Sequence, residues 1–218
     1  MSLARSLQKT DIATLNRWAL LFNGIRQPSV FRDDTFRRYI ASVLPATTFG
    51  ELQIPISMNA VDLETGRQEW FGAGGRMDVP LHDAIYASAA LPLYYPPAEF
   101  GGRYYIDGGI LDPLPIERAL ERGAERVIAV DLSTELNQDA AAEISKGLVG
   151  VHHRVLSVLR THSRRQEMAK EWDRPVLVIR PDLGSYGTWD FDKAGLFMEE
   201  GYRAAVAALG GEPEALSA

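Results

Sequence analysis

Apolar residues recur at helical spacing from Thr10 to Phe22, at Ile12, Leu15, Trp18, Ala19 and Phe22, with Asp11 placed to complement the helix start. The pattern predicts an amphipathic helix there. After the linker GIRQPSV a second helix is expected to open at Asp33 and Asp34, carry Phe36, Tyr39, Ile40 and Leu44 on one side, and end at Pro45. Two strand-like runs follow, Ile54 to Val61 and Gln68 to Phe71, and the turn-forming stretch Asp62 to Gly66 between them predicts a hairpin. Pro80 opens a short helix expected to run to about Ala90, before Pro92. The segment PAEFGGRYYIDGG then reads as strand, glycine turn and strand.

Beyond Pro115 the pattern changes from hairpins to alternating helices and strands. IERALERGA predicts a helix closed by Gly123, and Val127 to Leu132 a strand apolar on both faces, expected to lie buried between helix layers. A long helical region is expected over Ala140 to about Trp172, a buried strand over Val176 to Ile179, and a closing helix over Asp190 to Leu209. This alternation predicts an α/β fold with helices on both faces of a sheet that is at least partly parallel.

Composition narrows the classes. A chain of 218 residues with 46% hydrophobic residues can bury its own core, and a single domain spanning residues 1–218 is expected. A net charge of −6 with scattered Lys and Arg offers no footprint for nucleic acid. The densest basic run, Arg160 to Arg165, is expected on a solvated helix face. The lack of cysteine excludes disulfides, zinc thiolates and cysteine nucleophiles and fits a reducing compartment. MSLARSLQKTDIA does not read as a signal peptide, and no apolar run approaches the roughly 20 residues that span a bilayer, so a soluble, cytoplasmic protein is expected.

The most informative stretch is Tyr105 to Pro115, YIDGGILDPLP, because an acid followed by two glycines at a strand end is a costly choice for structure alone. Glycine is needed where φ is positive or where another group approaches the backbone closely. Asp107 would then stand at an exposed strand terminus, where open α/β sheets bind ligands. Taken alone, the three residues read more readily as a tight turn, in which Asp and Gly are common.

Four blocks in order change that weight: IPISMNAVDLETG from Ile54, AIYASAALPLYYPP from Ala84, RYYIDGGILDPLP from Arg103 and GAERVIAVD from Gly123. With the terminal helix WDFDKAGLFMEEGYRAAVAAL they resemble the bacterial patatin-like phospholipases, from about Thr10 to Leu209. The resemblance implies a three-layer α/β fold with a largely parallel central sheet and a Ser–Asp dyad. In such a dyad a serine in a G-x-S-x-G elbow attacks an ester, the aspartate of a D-G-G or D-G-A motif is its base partner, and a glycine-rich loop binds the oxyanion. Asp107, Gly108 and Gly109 match the aspartate motif. Asp112 stands where the family more often has Asn, and is expected to alter a local hydrogen bond or add charge near Asp107.

No G-x-S-x-G and no glycine-rich loop after a first strand occurs in the 218 residues. The resemblance places both before the Thr10 helix, so the chain is expected to begin after the nucleophile elbow, without the first βα units of the fold. Ser88 reads as a small packing residue, and Ser185, in GSYG, lacks the strand-to-helix context of an elbow. Gly72 to Gly75 reads as a loop rather than a phosphate cradle. His82, His152, His153 and His162 lack metal-ligand spacing, while the pairs Trp70/Phe71 and Tyr94/Tyr95 are expected in the core.

The expected activity is therefore hydrolysis of phospholipid, lysophospholipid or related lipid esters, with Asp107 as base partner, no nucleophile in this chain, and neither metal nor organic cofactor. The alternative is a catalytically inactive or interaction-only patatin-like fragment. The expected partners are a lipid or ester substrate, a membrane touched peripherally, and a second copy of the chain covering strands left bare.

Overall fold

The computed structural model describes residues 7–15, 28–133, 136, 139–184 and 190–210. They divide into two compact units, one built on Thr10–Pro113 and Asn137–Ser163, the other on Met1–Lys9, Leu114–Leu136 and Arg164–Ala218. The fold is α/β.

In the first unit, a single helical turn α1 (Lys9–Ile12) precedes β1 (Thr14–Leu15), which pairs antiparallel with β2 (Phe31–Arg32). The helix expected over Thr10 to Phe22 is thus replaced at Thr14 and Leu15 by strand pairing. Tertiary bonding overrides the local pattern here: Tyr95 donates its hydroxyl to the Ile12 carbonyl at 2.8 Å, and Phe31 N–H bonds the Tyr94 carbonyl at 2.8 Å. Trp18, Ala19 and Phe22 lie outside the described residues. Helix α2 (Asp33–Val43) opens on its two acids as expected. Arg37 ties it to α3 (Leu81–Ala89), bonding Asp83 at 2.9 Å and stacking 3.8 Å over the Tyr86 ring.

The expected hairpin is present. Strands β3 (Ser57–Asp62) and β4 (Gln68–Gly72) pair antiparallel, and Asp62 Oδ1 accepts the Glu64 N–H at 2.8 Å, closing the turn. With β5 (Ala98–Phe100) and β6 (Arg103–Asp107) they form a four-stranded antiparallel sheet in the order β4-β3-β6-β5. Phe71 and Tyr105 are fully buried against it and meet edge to face. The long helix expected from Ala140 breaks into α5 (Ala140–Ile144) and α6 (Leu148–Met168), because Gly147 adopts φ 73°, outside the helical range. Of α6, this unit holds the residues up to Ser163.

The second unit pairs β7 (Val127–Val130) with β8 (Val176–Ile179) in parallel, with Val127 opposite Val176. Among the described strands, β7 and β8 are the parallel pair, and an isolated parallel bridge joins Phe71 and Arg76. The core gathers Leu114, Ile116 and Ala129 with Met168, Trp172 and Val178. Helix α4 (Ile116–Glu121) is held at its C-terminus by Arg174, which donates to the Leu120 and Ala124 carbonyls at 3.2 and 2.8 Å. Helix α7 (Ala194–Ala208) closes the unit, preceded by a short 3-10 turn. The burial expected for β7 on both faces is not observed: Ala129 is buried, whereas Ile128 and Val130 are about half exposed. A two-stranded sheet offers cover on one side only.

Candidate active site

Strand β6 carries Asp107 to its last position, opposite Ala60 of β3, and Asp107 N–H bonds the Ala90 carbonyl at the end of α3 at 3.1 Å. The chain then tightens at once into a 3-10 turn, Gly108–Ile110, which Asp107 caps: its Oδ1 accepts the Gly109 N–H at 2.7 Å. The acid is therefore aimed across the turn instead of along the strand.

Close approach requires the first glycine and leaves little room at the second. A Cβ on Gly108 would lie 2.4 Å from the Asn59 side chain of β3 and 2.5 Å from its carbonyl oxygen, so no side chain fits. A Cβ on Gly109 would lie 3.0 Å from Asp107 Oδ1 and 3.8 Å from Arg160 Nη2 of α6, in the space between carboxylate and guanidinium. Neither glycine has a positive φ.

The rest of the turn is anchored from three elements. Asn59 donates to the Asp112 carbonyl at 3.1 Å, Gln68 of β4 donates to the Asp112 carboxylate at 3.3 Å, and Ser163 of α6 donates to the Ile110 carbonyl at 3.3 Å. Asp112 thus takes up a local hydrogen bond. Asn59, which nothing in the sequence marked, is buried and braces the turn from below.

Burial is the largest influence on Asp107 and pushes its pKa above the ordinary carboxylate value, while the Gly109 N–H and the charge of Arg160 partly restrain the rise. A carboxylate raised in this way is a stronger proton acceptor than a solvated one, yet it keeps two interactions that favour its charged form. The arrangement can accept a proton from a group brought to the turn.

The remaining candidates lie elsewhere. Ser88 sits within α3 and makes no hydrogen bond to Asp107, and Ser185 lies outside the described residues. Gly72 to Gly75 forms a tight turn closed by the Gly75 N–H to the Gly72 carbonyl at 2.9 Å. His153 approaches Glu143 at 3.5 Å and His82 approaches Asp83 at 3.7 Å, and no cluster of three metal-ligating side chains occurs among the described residues. Phe71 and Tyr95 are buried as expected, whereas their partners Trp70 and Tyr94 are only partly buried. The basic run is not uniformly solvated: Arg160 is exposed beside Gly109, but Arg164 is buried and bonds Asp131 at 3.0 Å. Asp131 also binds Arg180 at 3.1 Å and the Ser133 hydroxyl. Burial raises the Asp131 pKa, but the bonds from Ser133 and Arg164 outweigh it and hold the group below the usual range. Among the described residues no helix is long and apolar enough to cross a membrane.

The sequence pattern of the family described as patatin-like phospholipase matches residues 3–120, which include the whole Asp107 turn. Uncharacterized NTE family proteins of Mycobacterium bovis and Mycobacterium tuberculosis are each 35% identical to this chain over 114 residues, 52% of this chain and 30% of theirs. A protein named lysophospholipase NTE1, from Debaryomyces hansenii, is 42% identical over 50 residues, 23% of this chain and 3% of its own length. The chain thus spans under a third of the curated relatives it matches.

Proposed function

The chain belongs to the patatin-like phospholipase family, a family of lipid hydrolases, and on that premise we propose that Asp107 is the base partner of a nucleophilic serine in acyl-ester hydrolysis. The observation that carries the reading is the Asp107 turn itself. A half-buried carboxylate at a strand end is fixed by one backbone N–H, a side chain on Gly108 would collide with Asn59, and one on Gly109 would stand 3.0 Å from the carboxylate.

In the first step the serine oxygen attacks the ester carbonyl carbon as Asp107 accepts the hydroxyl proton. The tetrahedral intermediate collapses, the alcohol portion leaves with that proton, and an acyl-enzyme remains. Water then attacks the acyl carbon, Asp107 takes its proton and returns it to the serine oxygen, and the carboxylic acid departs. Phospholipid and lysophospholipid esters are the proposed substrates, in keeping with the family and with the name of the Debaryomyces hansenii relative.

No G-x-S-x-G lies in the 218 residues, so the reading assigns the serine to a segment outside them and predicts that the chain by itself is inactive. Labelling with a fluorophosphonate serine probe, followed by peptide mass spectrometry, tests this. The isolated 218-residue chain should take no label and hydrolyse an activated ester no faster than buffer. A label on Ser88 or Ser185, with turnover lost on its substitution by Ala, would overturn the assignment. A complete protein that contains the G-x-S-x-G segment and still takes no label would favour the interaction-only reading.

A further inference from the structure

Arg160 belongs to a basic run whose composition suggested only a solvated helix face, and it is the member that reaches the Asp107 turn. Its Nη2 and Nε lie 3.8 and 3.9 Å from the point where a Gly109 Cβ would stand, and Asp107 Oδ1 lies 3.0 Å from the same point. The two charged groups therefore both border the point that glycine leaves empty, well inside the roughly 8 Å over which physiological salt screens. Resting on the proposed role of Asp107, we infer that Arg160 is a positioning residue for this site, its guanidinium holding the Asp107 carboxylate in the charged form that can accept a proton.

Among the described residues, Arg160 is the cation whose charge acts on Asp107. Strand β3 contributes the neutral Asn59, β4 the neutral Gln68, the end of α3 a backbone carbonyl, and α6 the neutral Ser163 beside Arg160. The turn's second acid, Asp112, is taken up by Gln68. The charged residues of α3, His82 and Asp83, stand at its opposite end, where Asp83 is paired with Arg37. Desolvation thus drives Asp107 toward its neutral acid, and the opposing influences are the Gly109 N–H and Arg160. Of these, only Arg160 is a side chain that substitution can remove. Its solvent-exposed position leaves the fold little dependent on it.

Carboxyl carbon NMR of the 218-residue chain, labelled at aspartate, tests the inference without any assay of activity. In Arg160→Gln the titration midpoint of Asp107 should rise by about half a pH unit or more, and Arg160→Lys should restore most of the difference. Raising salt from low to molar concentration should move the Asp107 midpoint upward in the unaltered chain and leave it in place in Arg160→Gln. An Asp107 midpoint indifferent to both substitutions and to salt would overturn the inference. So would a lysine variant that behaves like the glutamine one, because a merely structural role does not follow charge. Failure of the base assignment shows separately, as unchanged ester turnover in an Asp107 variant of the complete protein while this titration still responds to Arg160.

Discussion

Asp107 and Asp131 each stand where an apolar strand runs out, β6 in one unit and β7 in the other, and their surroundings push them in opposite directions. Asp131 is buried with three side-chain partners, Arg164, Arg180 and Ser133, and its pKa lies below the ordinary value. Asp107 has one backbone N–H and a cation held at a distance, and its pKa lies above the ordinary value. The first is a structural cluster in which three side chains donate to the acid and hold it in its charged form. The second is under-coordinated for its burial, which costs stability and leaves a group able to take part in proton transfer. What separates the structural acid from the one proposed for chemistry is therefore the number of donors that meet it, since both occupy strand ends.

Removing the two carboxylates should separate the regions in stability. Asp131→Ala removes the buried carboxylate that Arg164 and Arg180 bond and should cost about 3 kcal/mol or more, whereas Asp107→Ala should change stability by less than about 1 kcal/mol. Thermal denaturation of both variants checks this, and equal losses would erase the distinction.

The pH dependence should differ in sign, by smaller amounts. For Asp131 the folded pKa is depressed, so its stabilisation is complete above the unfolded value near 3.8 and is lost as pH falls through the lower, folded value. For Asp107 the folded pKa is raised, so ionisation takes stability away as pH climbs from about 3.8 through that higher value. Relative to the unaltered chain, Asp107→Asn should melt at an equal or higher temperature at pH 7, and that advantage should vanish in acid. The deficit of Asp131→Asn should shrink as pH falls below 4. Parallel difference curves for the two variants would contradict the assigned directions.

The local pattern sufficed where structure is local. The β3–β4 hairpin follows from Asp62 and Gly66, and the break after β6 from two adjacent glycines. It failed where distant partners decide. Thr14 and Leu15 pair with Phe31 and Arg32 despite a helical period, and Arg164 is buried because Asp131, 33 residues earlier, folds against it. Asp107 was legible because the glycines mark it. Asn59 and Arg160 were not, since their roles depend on β3 and α6 arriving at the turn, which no spacing along the chain encodes.

The most direct test compares ester turnover in a longer protein in which this chain is joined to the proposed G-x-S-x-G segment, with Asp107→Asn and Asp131→Asn each measured per folded molecule. Loss of a base partner should lower kcat by a factor on the order of 10² or more in Asp107→Asn, while Asp131→Asn should stay within a few-fold of the unaltered enzyme. Turnover retained in a folded Asp107→Asn variant, or lost equally in both, would reduce Asp107 to a turn residue and contradict the account.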